Sequence, residues 1–255
     1  IDSSGFSELY IEDAPLSQHL IAYLHHFDII LLYSFDPKDI FMKNLRKIGV
    51  KHVYRFDPFP PEDVNIHITA YLLKTLEILG IYEKQVSPEV VIPEIEDQFS
   101  HPGKFRLREL RIAVHPGSGS PKKNWEATNF AELCVRMIHA YQTKIVLIVG
   151  PAEKTSVQLI RNTISSSSLI ILENMSLPKI AVELQKCRVY IGNDSGISHL
   201  AAAAGLPTIV IFGPSNPHVW KPFGEHVIVL QGDTRPYCVR VSVEQVFAEV
   251  TKILG

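Results

Sequence analysis

The sequence predicts an α/β protein with two lobes, each built on a parallel sheet. From Arg111 onward, short apolar runs alternate with helical patterns, and turns rich in glycine or serine follow several of the runs. The length of 255 residues suits two small lobes better than one minimal module. Strands that alternate with helices in this way form a doubly wound parallel sheet, which binds ligands beyond the carboxyl ends of its strands.

The second half shows the alternation most regularly. Apolar runs predict strands at 111–114, 144–149, 169–172, 188–191, 208–212 and 226–230. Apolar residues recur at three- and four-residue spacing between 130 and 141, and again from 177 to 184 after the capping residue Ser176. The last segment, 243–254, has the pattern of an amphipathic helix.

The first half repeats the theme less fully. It predicts strands at 9–11, 28–33 and 51–56, with helices at 15–26, 37–48 and 66–80. The stretch 87–103 is rich in proline and acidic residues and has no strong period, which indicates a linker between lobes. We therefore place one domain at 1–93 and the other at 94–255.

The composition is that of a globular protein with a substantial core, with 46% hydrophobic and 20% charged residues. A net charge of −2 gives no overall attraction to nucleic acid, so an anionic ligand would be held by local positive groups. Cys134, Cys187 and Cys238 show no CxxC spacing, which indicates reduced thiols in a cytosolic compartment and no metal cluster. No apolar run approaches ~20 residues and no signal peptide leads the chain, so we expect a cytoplasmic protein whose membrane contact, if it has any, is peripheral.

The turn at 192–196 is the most informative local feature. It follows a buried strand and opens a small-residue helix that Gly205 ends. The amides of Ser195 and Gly196, together with the positive end of the helix dipole, make an anion site that suits a diphosphate. Asp194 either caps this helix or shapes the turn, or it contacts a ligand hydroxyl. His199 lies one helical turn further on, where its imidazole either donates to a phosphate or is structural.

A second loop with the same chemistry leaves the carboxyl end of an earlier strand. Residues 115–125 read HPGSGSPKKNW and combine glycines and serines with Lys122 and Lys123. The loop is either a second anion cradle or a solvated lysine pair. It is not a Walker A motif, and no GxGxxG opens any helix of the sequence, so ATPase and dehydrogenase functions lose their main support.

Two further positions are candidates for contacts to a nucleotide. Glu153 follows another predicted strand, where an acid either binds a ribose or caps a helix. Met175 precedes the helix that begins after Ser176, and it is either a core residue or the wall of a base pocket.

Three motifs in this order resemble the C-terminal, nucleotide-sugar-binding half of glycosyltransferase family nine, the ADP-heptose:lipopolysaccharide heptosyltransferases. They are HPGSGSPKKNW, NMSLPKIAVELQKC and YIGNDSGISHLAAAAGLPTIVIFGPSNPHVW, and the resemblance covers 111–255. It implies a GT-B fold with two Rossmann-like lobes, the donor bound mainly by the C-terminal lobe and the acceptor by the N-terminal lobe. It also implies transfer with inversion, no cofactor and no obligatory metal.

The resemblance also implies roles for individual residues. Ser118 and Gly119 match loop positions that contact the donor phosphates, and Lys123 matches the phosphate-binding lysine that stabilises the leaving group. Glu153 falls within one residue of the ribose-binding acid, and Met175 matches the residue beside the adenine. The family's donor-binding turn, D-[ST]-G-x-x-H, is matched by Asp194, Ser195, Gly196 and His199.

The sequence departs from the family at the catalytic base. The family carries this carboxylate in a Gly-Asp turn near its N-terminus, and neither Asp2 nor Asp13 lies in such a motif. We therefore expect an incomplete N-terminal lobe that lacks on the order of 60 residues, about two βα units, and we name no base.

The function that follows is transfer of a heptose or related sugar from a nucleotide diphosphate sugar, ADP-heptose, to a lipopolysaccharide core acceptor. The location is the cytoplasmic face of the inner membrane, with peripheral contact. The alternatives are a nucleotide-sugar-binding module without turnover and a GT-B-like epimerase. The nucleotide base, the sugar, the acceptor and the oligomeric state stay open.

Overall fold

A computed structural model of the protein describes residues 3–61, 63–83, 87–91, 109–150, 154–232 and 239–255. The chain divides into two compact units, Ile1–Lys84 and Gln85–Gly255. The predicted domain boundary after residue 93 lies outside the described residues.

The first unit is a small parallel sheet with helices around it. Strands β1 and β2 pair in parallel, with Ile30 opposite Val53. Its elements in chain order are a 3-10 helix (Ser3–Tyr10), α1 (Gln18–Leu24), β1 (Ile30–Tyr33), α2 (Ile40–Lys47), β2 (Val53–Phe56), α3 (Ile68–Thr75) and a second 3-10 helix (Leu76–Leu79).

The predicted strand at 9–11 is wrong, because these residues end a 3-10 helix and enter a turn. Leu9 packs into the core of the first unit. The side-chain amide of the buried Asn44 donates to the carbonyl oxygens of Leu9 (3.0 Å) and Ile11 (2.9 Å). A side chain from α2 thus satisfies carbonyl groups that a strand would offer to a neighbouring strand.

The second unit is a six-stranded parallel sheet in the order β5-β4-β3-β6-β7-β8. Each of the six strands predicted for the second half is present. Five have ends within one residue of those expected, and β6 runs two residues further, so that Gly192 and Asn193 belong to the strand and not to the predicted turn. The strands are β3 (Arg111–His115), β4 (Lys144–Val149), β5 (Leu169–Glu173), β6 (Val189–Asn193), β7 (Thr208–Phe212) and β8 (Val227–Gln231). The helices are α4 (Ala127–Tyr141), α5 (Lys154–Thr163), α6 (Leu177–Leu184), α7 (Gly196–Ala203), α8 (Pro217–Trp220) and α9 (Val243–Leu254).

Helices cover both faces of this sheet. Successive residues of β3 alternate between two core clusters, as side chains of a strand do: Ile112 packs with the residues of α4, α5 and α9, and Ala113 packs with those of α6 and α7. Every residue of β6 and β7 is buried. Burial on both faces explains why these strands read as continuous apolar runs rather than as alternating ones.

The order of the strands fixes where a ligand crevice forms. The chain builds β3, β4 and β5 outward to one side and then returns to place β6 on the other side of β3. The helices after β3 and β6 therefore cover opposite faces of the sheet, and the point between these two strands is the usual ligand position in this class of fold.

None of the helices that the structure describes is long and apolar enough to cross a membrane.

Burial should make two cysteines inert. Cys134 and Cys187 are both buried, and loss of solvent raises the pKa of each thiol to about 12. Because the thiolate is the reactive form, we expect iodoacetamide at about pH 8 to leave both unmodified in the native protein, while the unfolded protein is alkylated at both. Peptide mapping by mass spectrometry measures this, and alkylation of either residue in the native protein at the unfolded rate would contradict the packing described.

Candidate functional site

The two loops singled out in the sequence lie against each other at the crevice between β3 and β6. Lys123 Nζ, from the loop after β3, donates to Asp194 Oδ2, which follows β6, over 2.7 Å. The backbone amide of Trp125 donates to Asn193 Oδ1 over 2.9 Å. One ion pair and one hydrogen bond from a backbone amide to a side chain therefore connect segments that are about 70 residues apart in sequence.

Asp194 connects its own turn to two neighbouring loops. Its carboxylate is 7% exposed and accepts from Lys123 and from Ser215 Oγ, which follows β7 and lies 2.6 Å away. Residue Ser195 is the cap position of α7, and its side chain makes no capping bond. In the part of the chain that the structure describes, the side-chain bonds of Asp194 thus run to other loops, so the carboxylate shapes the turn rather than capping α7. A buried carboxylate requires such partners, because leaving it unpaired is costly.

Asn193 is a functional candidate that the sequence reasoning missed. It is the last residue of β6, and its side chain is fully buried. Its Nδ2 donates to the carbonyl oxygen of Pro116 at 2.8 Å and makes a longer contact of 3.5 Å to that of Gly117. The available signal was an amide residue at the end of an otherwise apolar strand.

The N-terminus of α7 is exposed where it follows the turn. Ser195 is extended, with φ −152° and ψ 162°, and its carbonyl oxygen accepts from the amides of Ser198 and His199. Gly196, the first helical residue, is exposed. Because the first amides of an α-helix have no acceptor within the helix, this end supplies donors and a partial positive charge next to the Lys123–Asp194 pair.

A cluster of hydroxyl groups lies beneath the turn. Tyr190 Oη and Ser198 Oγ are 3.0 Å apart, and Ser198 Oγ donates to the carbonyl oxygen of Asn193 over 2.5 Å. Burial raises the pKa of Tyr190. Tyr190 also fills the space beside Gly192, where an added Cβ would lie 2.2 Å from its Oη and 3.0 Å from the carbonyl oxygen of His115. A side chain at this point of β6 would therefore require Tyr190 to move.

The glycine and serine of the loop after β3 have different surroundings. Ser118 Oγ lies 2.6 Å from Asn124 Oδ1 and accepts from the amide of Ser120, so the hydroxyl shapes its own loop. Gly119 is exposed, and no atom lies within 4 Å of the position of a Cβ there. Its backbone is therefore open to a ligand, and the neighbouring Lys122 is also exposed.

Three predicted site residues remain, namely Met175, His199 and Glu153. Met175 is half-buried and packs against the core cluster of α6 and α7, as the core alternative expects. His199 is half-buried on α7. Glu153 lies outside the described residues. Within the described part of the chain, no three His, Cys, Asp or Glu side chains are grouped so as to hold a metal ion.

The fold and this crevice define a Rossmann-like α/β protein whose candidate ligand site is an anion cradle at the switch point of the sheet. The sequence model of glycosyltransferase family 9 (heptosyltransferase) matches residues 54–247, more than half of the chain. The chain therefore belongs to glycosyltransferase family 9.

Curated relatives are similar over part of the chain. Lipopolysaccharide heptosyltransferase 2 of Escherichia coli is 26% identical over 161 residues, which are 60% of this chain and 45% of that protein. Lipopolysaccharide heptosyltransferase 1 of Campylobacter coli is 34% identical over 136 residues, which are 50% of this chain and 39% of that protein. The chain thus spans less than half the length of these two relatives.

Solved structures show the same fold. The ADP-heptose lipopolysaccharide heptosyltransferase II of E. coli has a TM-score of 0.72 at 18% identity, covering 92% of this chain and 80% of that one. A family 9 glycosyl transferase of Veillonella parvula has a TM-score of 0.69 at 19% identity, covering 92% and 77%. The predicted fold class, α/β of the GT-B type with parallel sheets, is confirmed by these likenesses.

Two glycines of the site should respond differently to substitution. Gly192→Ala places a methyl group against the Tyr190 hydroxyl and the backbone of His115, so we expect it to lower the free energy of unfolding by about 1–3 kcal/mol. Gly119→Ala meets open space at a φ outside the left-handed region, and we expect a change within about 0.5 kcal/mol. Urea unfolding measures both, and equal stabilities of the two variants would contradict the packing described at Gly192.

Proposed function

We propose that this chain carries the donor site of an inverting glycosyltransferase, which transfers a heptose from ADP-heptose to a lipopolysaccharide core acceptor. The proposal depends mainly on one observation: Lys123 and the N-terminus of α7 lie together at the switch point of the sheet. Membership of glycosyltransferase family 9 supports the class of reaction. The names of the relatives support a heptose donor and a lipopolysaccharide acceptor.

The charges of the cradle suit a diphosphate. Two unit charges about 4 Å apart interact by about 4 kcal/mol at an effective dielectric constant of 20, whereas a helix N-terminus contributes about 0.3–1 kcal/mol. Lys123 is therefore the larger attraction, although its side chain is 34% exposed and solvent weakens the effect. An ammonium carries three donor hydrogens, and the bond to Asp194 uses one of them.

Asp194 has a different part in this proposal. Its negative charge repels a diphosphate, so it does not add to the affinity for phosphate directly. It fixes the position of the Lys123 ammonium, and Ser215 shares the carboxylate. We propose that Ser195 and Gly196 donate their backbone amides to the diphosphate. Ser118 and Gly119 are proposed to contact the phosphates, and His199 belongs to the same donor-binding turn as Ser195. Glu153 and Met175 are proposed for the ribose and the adenine.

The reaction is a single displacement at the anomeric carbon. The acceptor hydroxyl oxygen forms a bond to this carbon while the bond from the carbon to the diphosphate oxygen breaks, and the configuration inverts. The diphosphate leaves with the electron pair, and Lys123 and the amides of α7 stabilise its growing charge. The proton of the hydroxyl passes to a carboxylate, which we do not assign. This balance needs no redox cofactor.

The partners follow from the reaction. The donor is a water-soluble nucleotide sugar, and a lipopolysaccharide core is anchored in the inner membrane by its lipid. We therefore propose that the protein acts at the cytoplasmic face of that membrane with peripheral contact, with the donor on the second unit and the acceptor on the first.

The proposal is tested by binding and turnover on the same preparation. We expect ADP to bind in calorimetry, and we expect ADP-heptose with a heptose-deficient core lipopolysaccharide to give ADP and an acceptor heavier by one heptose in mass spectrometry. Binding without transfer would replace the proposal with a nucleotide-sugar-binding module. Failure to bind any nucleoside diphosphate would overturn it.

Two adjacent lysines supply a matched control for this experiment. Lys123→Ala should weaken ADP binding by about tenfold or more, because it removes a charge-assisted donor. Lys122→Ala removes the same charge from an exposed neighbour and should change the affinity by less than about twofold. Melting temperatures are measured in parallel, since Lys123→Ala also removes a partner of the buried Asp194. Equal ADP affinities in the two variants would contradict the role given to Lys123.

A further inference from the structure

We infer that Asn193 is a positioning residue for the donor site. Its side-chain amide fixes the loop after β3 against the turn after β6, and this keeps Lys123 and the N-terminus of α7 at the spacing that one diphosphate requires. The inference rests on the proposed function and adds to it a residue that contacts protein groups at the base of the cradle.

One side chain holds both ends of the loop. Strands β3 and β6 are neighbours with His115 opposite Gly192, so the loop begins beside Asn193. Asn193 Nδ2 donates to the carbonyl oxygen of Pro116, the first residue after β3. Asn193 Oδ1 accepts from the amide of Trp125, two residues before α4. The two ends of the segment 116–125 are thus attached to a single planar group.

The same residue connects this loop to the donor turn. The carbonyl oxygen of Asn193 accepts from Ser198 Oγ on α7, and the next residue, Asp194, accepts from Lys123. The side chain of Asn193 sets the ends of the loop, and its backbone sets the start of the turn. Because the side chain is fully buried, water does not compete for these bonds.

A purely structural role makes a different prediction. If Asn193 only satisfied buried backbone groups, its loss would lower stability and would reduce binding of every ligand through the folded fraction alone. A positioning role acts on the phosphate-binding loops, so it should reduce the affinity for ADP more than the affinity for adenosine. The ratio of the two dissociation constants therefore separates the alternatives.

The first unit offers a matched control. Asn44 is also a buried asparagine whose Nδ2 donates to two backbone carbonyl oxygens, those of Leu9 and Ile11. It belongs to the compact unit that does not contain the cradle. Asn44→Ala removes the same kind of bonds without touching either loop.

The experiment compares Asn193→Asp, Asn193→Ser and Asn44→Ala with the unaltered protein. Asn193→Asp keeps an acceptor for Trp125 and turns an oxygen toward the Pro116 carbonyl, and Asn193→Ser is a smaller variant in case the buried carboxylate prevents folding. ADP affinity is measured by calorimetry, adenosine affinity by NMR titration, and folding by melting temperature. We expect a loss of about tenfold or more for ADP, which corresponds to about 1.4 kcal/mol, and less than about twofold for adenosine.

For Asn44→Ala we expect a lower melting temperature and an unchanged ratio of the two affinities. If the folded Asn193 variants keep the ratio of the unaltered protein, the inference is overturned and the proposed function stands. If the unaltered protein binds no ADP, the proposed function fails and the inference fails with it.

Discussion

The candidate site depends on a buried carboxylate that must have a counter-charge. Removing an isolated carboxylate from water costs several kcal/mol, and Asp194 is almost completely enclosed. Lys123 and Ser215 supply its partners from the loops after β3 and β7, so the need to pair one charge brings three loops to the same end of the sheet. The ion pair with Asp194 therefore positions Lys123, the proposed phosphate ligand.

The sheet makes this pairing possible. Central parallel strands bury both faces, so the polar side chains of Asn193 and Asp194 lie at and beyond the end of β6, at the switch point of the sheet. Tyr190 packs closely against Gly192, and its hydroxyl lies 3.0 Å from that of Ser198 next to the turn. The candidate site therefore lies next to apolar strands and buried hydroxyl groups, and it combines the backbone amides at the N-terminus of α7 with the Lys123 ammonium.

Much of this could be predicted from the sequence, because strands and loop chemistry are local. Apolar runs located the strands of the second unit, and glycines, serines and lysines located the two loops. Asn193 and Ser215 were missed, since their partners lie in other loops and no periodicity reports a bond between distant segments. The segment 9–11 was misjudged for the same reason, as Asn44 binds its carbonyl groups from α2.

The central claim is that the loop after β3 and the turn after β6 converge on one diphosphate. A crystal structure of the protein with ADP tests it directly. We expect phosphate oxygens about 2.7–3.2 Å from Lys123 Nζ and from the amide nitrogen of Gly196. A structure in which the phosphates bind elsewhere, with Lys123 still paired to Asp194 alone, would contradict it.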